Sequence, residues 1–71
     1  MLIRSIKNNT LANFGEGCII KLYNGYIACI GNGGYAELIR AGDFNKSKKL
    51  IDEIQKAYLD GEKIYVIEES E

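Results

Sequence analysis

Asn24-Gly25 stands between two β-rich runs, Cys18-Ile19-Ile20-Lys21-Leu22-Tyr23 and Tyr26-Ile27-Ala28-Cys29-Ile30. A two-residue Asn-Gly loop suits the type I′ turn, whose positive φ angles match the right-handed twist of the flanking strands. That turn fixes a register, with Tyr23 facing Tyr26, Lys21 facing Ala28 and Ile19 facing Ile30. A second turn at Asn32-Gly33 leads into Tyr35-Ala36-Glu37-Leu38-Ile39-Arg40. It extends the pairing to Ile30 with Tyr35, Ala28 with Glu37 and Tyr26 with Ile39. The prediction is a three-stranded antiparallel meander.

Strand residues alternate between faces, so the register sorts the side chains. One face collects Cys18, Ile20, Leu22, Ile27, Cys29, Ala36 and Leu38, all apolar, and must be covered. The other carries Ile19, Tyr23, Tyr26, Ile30, Tyr35 and Ile39 around Lys21 and Glu37.

Upstream, Leu2 to Lys7 and Thr10 to Phe14 flank Asn8-Asn9, which predicts a first hairpin with Ile6 opposite Leu11 and Ile3 opposite Phe14. Residues 46–59 switch to the helical period. Ser47, Leu50, Ile51, Ile54, Ala57 and Tyr58 make one stripe, with Asn45 as the expected N-cap and Asp60-Gly61 as the stop. Lys63-Ile64-Tyr65-Val66-Ile67 reads as a final strand returning to a sheet. The expected architecture is therefore α+β: two hairpin units with one amphipathic helix packed on the apolar face, in a single domain spanning residues 1–71.

A chain this short builds a core worth only a few kcal/mol, and small scaffolds often add a disulfide, a metal or a second subunit. The chain has no histidine, and its two cysteines have no second pair with which to complete a zinc tetrahedron. With the metal set aside, self-association is favoured. Nine Lys and Arg against ten Asp and Glu leave a net charge of −1, which argues against a nucleic-acid partner. Residues 68–71 form a short acidic tail, read as a solvated end. No apolar run reaches membrane-helix length and no signal-peptide pattern opens the chain, so a cytoplasmic setting with reduced thiols is expected.

Few residues can carry chemistry. Cys18 and Cys29 fall on the core-facing side among isoleucines, where cysteine behaves as a small hydrophobe. Gly31-Asn32-Gly33-Gly34 joins two strands and lacks the helix and lysine of a phosphate loop. No nucleophile–base pair is visible, so no catalytic residue, cofactor or enzymatic activity is expected. Two constellations remain. The first is the face of Tyr23, Tyr26, Tyr35, Ile39, Ile19 and Ile30, suited either to sheet-stabilising pairs or to a partner, a homodimer above all. The second is Lys46, Lys48 and Lys49 in the first helical turn with Asn45 and Arg40 nearby, either a solvated basic turn or a phosphate-bearing ligand's site.

Ile3-Arg4-Ser5, Leu11-Ala12-Asn13-Phe14, Leu50-Ile51-Asp52-Glu53-Ile54, Ala57-Tyr58, Gly61 and Tyr65 together resemble a loose group of short phage and prophage proteins of low-GC Gram-positive bacteria. Members of that group carry acidic residues early in the helix, where this chain has lysines. The resemblance implies a non-catalytic counter-defence or host-takeover factor that sequesters a host signalling nucleotide or blocks a host protein. The alternative is a homodimeric adaptor or small regulator with no ligand.

Overall fold

The computed structural model describes residues 1–31 and 33–68; Asn32 of the second turn and Glu69 to Glu71 of the acidic tail lie outside them. The fold is α+β. Its elements are β1 (Leu2–Ser5), β2 (Thr10–Asn13), β3 (Ile19–Tyr23), β4 (Tyr26–Gly31), β5 (Gly34–Arg40), α1 (Phe44–Leu59) and β6 (Ile64–Ile67). They form two three-stranded sheets, β2-β1-β6 and β3-β4-β5.

The Asn24-Gly25 turn holds as expected. Asn24 and Gly25 have φ of 53° and 81°, the left-handed conformation that glycine adopts without steric cost. Tyr23 pairs with Tyr26, Lys21 with Ala28 and Ile19 with Ile30. Beyond the second turn Ile30 pairs with Tyr35 and Ala28 with Glu37. There the expected register ends. A β-bulge shifts the ladder between Ile27 and Ala28, so Ile27 pairs with Ile39 and Tyr26 with Arg40. Leu38 is the residue left without a partner, and the one-residue shift moves Ile39 to the opposite face. Leu38 and Ile39 are consequently both buried.

The first hairpin also departs from expectation. Leu2 pairs with Asn13, Ile3 with Ala12 and Ser5 with Thr10, so Ile6 does not face Leu11 and Ile3 does not face Phe14. The cause is a longer loop. Ile6 and Lys7 leave the strand with Asn8 and Asn9, the Asn9 N–H donates to the Ile6 carbonyl at 3.2 Å, and only Asn9 has positive φ, at 52°. The returning β6 pairs in parallel with β1, Leu2 with Ile64 and Ser5 with Ile67. A parallel pair needs a long crossover, and α1 lies within it.

The inner faces of the two sheets and one side of α1 enclose a single core of Ile3, Ala12, Ile27, Cys29, Leu38, Ile39, Ile54 and Ile67. Cys18, Ile20, Leu50 and Ile51 pack half-buried against it. Leu22, expected inside, is 56% exposed. It sits at the turn end of β3, an edge strand. Ser5 is fully buried and its hydroxyl donates to the Leu38 carbonyl, tying the first hairpin to the bulge.

The helix begins before its apolar stripe does. Asp43, and not Asn45, is the N-cap: its carboxylate accepts the Lys46 N–H at 2.8 Å. Phe44 in the first turn is 78% exposed, so the early turn contributes nothing to the periodicity that marks the rest. At the other end Gly61 donates to the Tyr58 carbonyl and Glu62 to that of Ala57, a Schellman closure around Gly61 at φ 79°.

Candidate functional site

The end of β5, the first turns of α1 and β6 enclose an open groove of about 840 Å³. Its apolar base comes from Ile27, Ile39, Leu50 and Ile67. Arg40, Lys46 and Lys49 line it from β5 and the helix, together with Glu53 and Glu68. Arg40 is placed there by the bulge, and its guanidinium lies over the Tyr26 ring, 5.5 Å from the centroid, within cation–π range. The Tyr65 hydroxyl donates to Glu53 at 3.0 Å, which holds that carboxylate against β6.

Of the five residues expected to form an anion site, Arg40, Lys46 and Lys49 meet in this groove and two do not. Lys48 points away and pairs with Asp52 at 2.9 Å. With Asn45 it borders a separate hollow of about 310 Å³ that Lys49 also touches. The expected helix N-terminal cradle is absent for a physical reason. The Asp43 carboxylate already occupies the position an anion would take, accepting the Lys46 N–H. Any anion held here would be held by side chains.

On the outer face of β3-β4-β5, Tyr23 and Tyr35 are 40% and 52% exposed, and their rings meet edge-on with centroids 5.0 Å apart. They stand on the two strands flanking Ala28, which shares their face and is fully buried. Two large rings leaning together across the central strand account for that burial. Ile19 is exposed, while Tyr26 and Ile30 are half-buried. Ile39 does not belong to this face: the bulge turns it into the core, and Arg40 stands opposite Tyr26 in its place. Lys21 is exposed and Glu37 half-buried on either side of Ala28.

A second surface was not foreseen. In β2-β1-β6 the register brings Leu2, Leu11, Ile64 and Val66 to the outer face around Arg4, and all four apolar side chains are 40–59% exposed. The signal was available in the unbroken apolar run Ile64–Ile67, which gives a strand two apolar faces. What could not be read was that β6 would lie beside β1.

Cys29 is buried and Cys18 half-buried, both as free thiols. Burial, reinforced by the neighbouring Cys18, pushes the Cys29 thiol above the ordinary thiol range. That is the opposite of what a reactive cysteine needs. Among the described residues no cluster of three or more His, Cys, Asp or Glu could hold a metal ion, and no helix is long and apolar enough to cross a membrane. Comparison with protein families, with curated proteins and with solved structures finds no match to this chain.

Proposed function

We propose that the chain is a non-catalytic binding protein that takes a phosphate-bearing small molecule into the groove between β5, α1 and β6. One observation carries the reading: Arg40, Lys46 and Lys49, from two separate elements, line one groove with an apolar base. The groove's size falls within the range of about 300–1,000 Å³ usual for small-molecule sites. Guanidinium and ammonium groups would meet the phosphate. Glu53 and Glu68, also lining the groove, would accept hydrogen bonds from the amino groups of a base. In the setting that the resemblance to phage proteins implies, such binding would sequester a host signalling nucleotide.

Calorimetry at low salt against inorganic phosphate and a panel of linear and cyclic nucleotides tests this. Binding is expected to weaken as salt screens the charges. Lys49→Glu and Arg40→Ala should each weaken it about tenfold or more, while Lys48→Glu, on a residue paired with Asp52 outside the groove, should weaken it far less. No binding across the panel, or equal loss with Lys48→Glu, refutes the reading. A second reading, a blocker of a host protein with no small ligand, is favoured by the exposed apolar face of Leu2, Leu11, Ile64 and Val66. An empty calorimetric panel would leave that alternative as the stronger one.

A further inference from the structure

We infer that the chain forms a twofold dimer through the tyrosine-bearing face of β3-β4-β5, with the axis running along β4. Among the described residues nothing covers this face, because the other sheet and α1 both pack on the opposite side, around Ile27, Cys29 and Ile54. Its chemistry is arranged in rows across the strands. Lys21, Ala28 and Glu37 share one row, and Tyr23, Tyr26 and Arg40 the next. Lys21 and Glu37 take no part in the ion pairs found among the described residues, which are Lys48–Asp52 and Lys56–Asp60.

The charges select both the occupant and the axis. A half-turn about β4 lays β3 of one copy over β5 of the other and keeps every row at its own level. The partner's Lys21 then lies over Glu37, and the partner's Tyr23 stands at the level of Arg40; the reciprocal pairs form on the other flank. Each cation meets an anion or an aromatic ring. A half-turn about the perpendicular in-plane axis through Ala28 would instead set Lys21 on Lys21 and Glu37 on Glu37. A face whose charges match its own rotated copy suits a second copy of this chain. The Tyr23–Tyr35 ring pairs of both subunits would meet at the axis, where aromatic anchors contribute most. Sheets packed this way sit about 10 Å apart, within reach of a lysine and a glutamate from opposite faces. Three strands offer a small interface, so the dimer should be a dissociating one.

Sedimentation velocity of the full chain from low to high micromolar concentration reads the outcome. The wild type should associate reversibly to a dimer. Lys21→Glu and Glu37→Lys should each weaken self-association by about tenfold, since each homodimer then opposes like charges twice. An equimolar mixture of the two variants should recover wild-type affinity, because the mixed dimer restores an opposite-charge pair on both flanks. Pairing within one chain could not produce that recovery. A wild type that stays monomeric, a single variant that associates as the wild type does, or a mixture no tighter than its components would each overturn the proposal. Circular dichroism checks that each variant folds. If Glu37→Lys does not, Glu37→Gln replaces it, and its mixture with Lys21→Glu must still associate more tightly than Lys21→Glu alone.

Discussion

Ser5→Ala tests how the two sheets are held together. The Ser5 side chain is fully buried, and its hydroxyl donates to the carbonyl of Leu38, the residue that the β5 bulge leaves without a strand partner. Alanine keeps the backbone and the small volume but removes the donor. The space vacated by one oxygen is too small to admit water, so the carbonyl would stay buried and lose this partner. That penalty is about 1–3 kcal/mol. A 71-residue chain has a total stability of about 4–10 kcal/mol at ordinary per-residue values, so the loss is a large fraction of the whole. At about 4–8 °C per kcal/mol for a domain of this size, the thermal midpoint should fall by about 10 °C. Urea and thermal unfolding followed by circular dichroism measure both quantities. Thr10→Ala provides the contrast, since its hydroxyl bonds the Asn8 carbonyl at 3.1 Å in a part-buried turn and its loss should cost under about 1 kcal/mol. A Ser5→Ala variant within about 0.5 kcal/mol of the wild type would show that the Leu38 carbonyl is satisfied elsewhere and would refute the reasoning.

Ile54 is the helix's one fully enclosed side chain, so Ile54→Ala should cost about 2–5 kcal/mol in urea denaturation; a loss well below that range would mean that the helix is dispensable to the core. Gly25→Ala, at φ 81° with open space around the new methyl, should destabilise by about 1–2 kcal/mol from backbone strain alone. Because the folded chain raises the Cys29 pKa, it holds that proton where the unfolded chain has lost it. The contribution is therefore present in full below the unfolded thiol pKa of about 8.5 and falls as the pH rises beyond it. A Cys29→Ala variant should show a flatter decline in stability through that alkaline window, as read by urea midpoints at successive pH values.

Where the chain supplied a tight turn it also revealed its register. Asn24-Gly25 defines β3 and β4 residue by residue, because a two-residue loop leaves no freedom in pairing. Asn8-Asn9 has the same length but no glycine: the chain uses four residues, Ile6 to Asn9, and the pairing lies two positions from that of a two-residue loop. The bulge at Leu38 left no mark in composition, since Leu38-Ile39 reads as strand in either register. The N-cap is ambiguous in the sequence for a related reason. Asp43 and Asn45 are both competent caps, and the exposed Phe44 between them hides where the helical period begins. The groove was legible only as a suspicion about lysines. Which of them share a cavity depends on how the strands meet the helix: Lys46 and Lys49, three residues apart, lie on one side of it, and Lys48 pairs with Asp52 outside the groove.

The bulge in β5 links the core to the chemistry. Without it Ile39 would stand opposite Tyr26 on the outer face, and Arg40 would turn toward the core side of the sheet. One unpaired residue instead buries Leu38 and Ile39 together, which thickens the core of a very small domain. It also turns the Leu38 carbonyl to Ser5, clamping the first hairpin onto the meander. And it brings Arg40 to the corner where the groove meets the tyrosine face, in contact with Tyr26 on one side and lining the cavity on the other. Bulges re-aim side chains at the ends of strands. Here the re-aimed residue is the cation common to both candidate surfaces, so core packing and the placement of Arg40 follow from the same local departure from regular pairing.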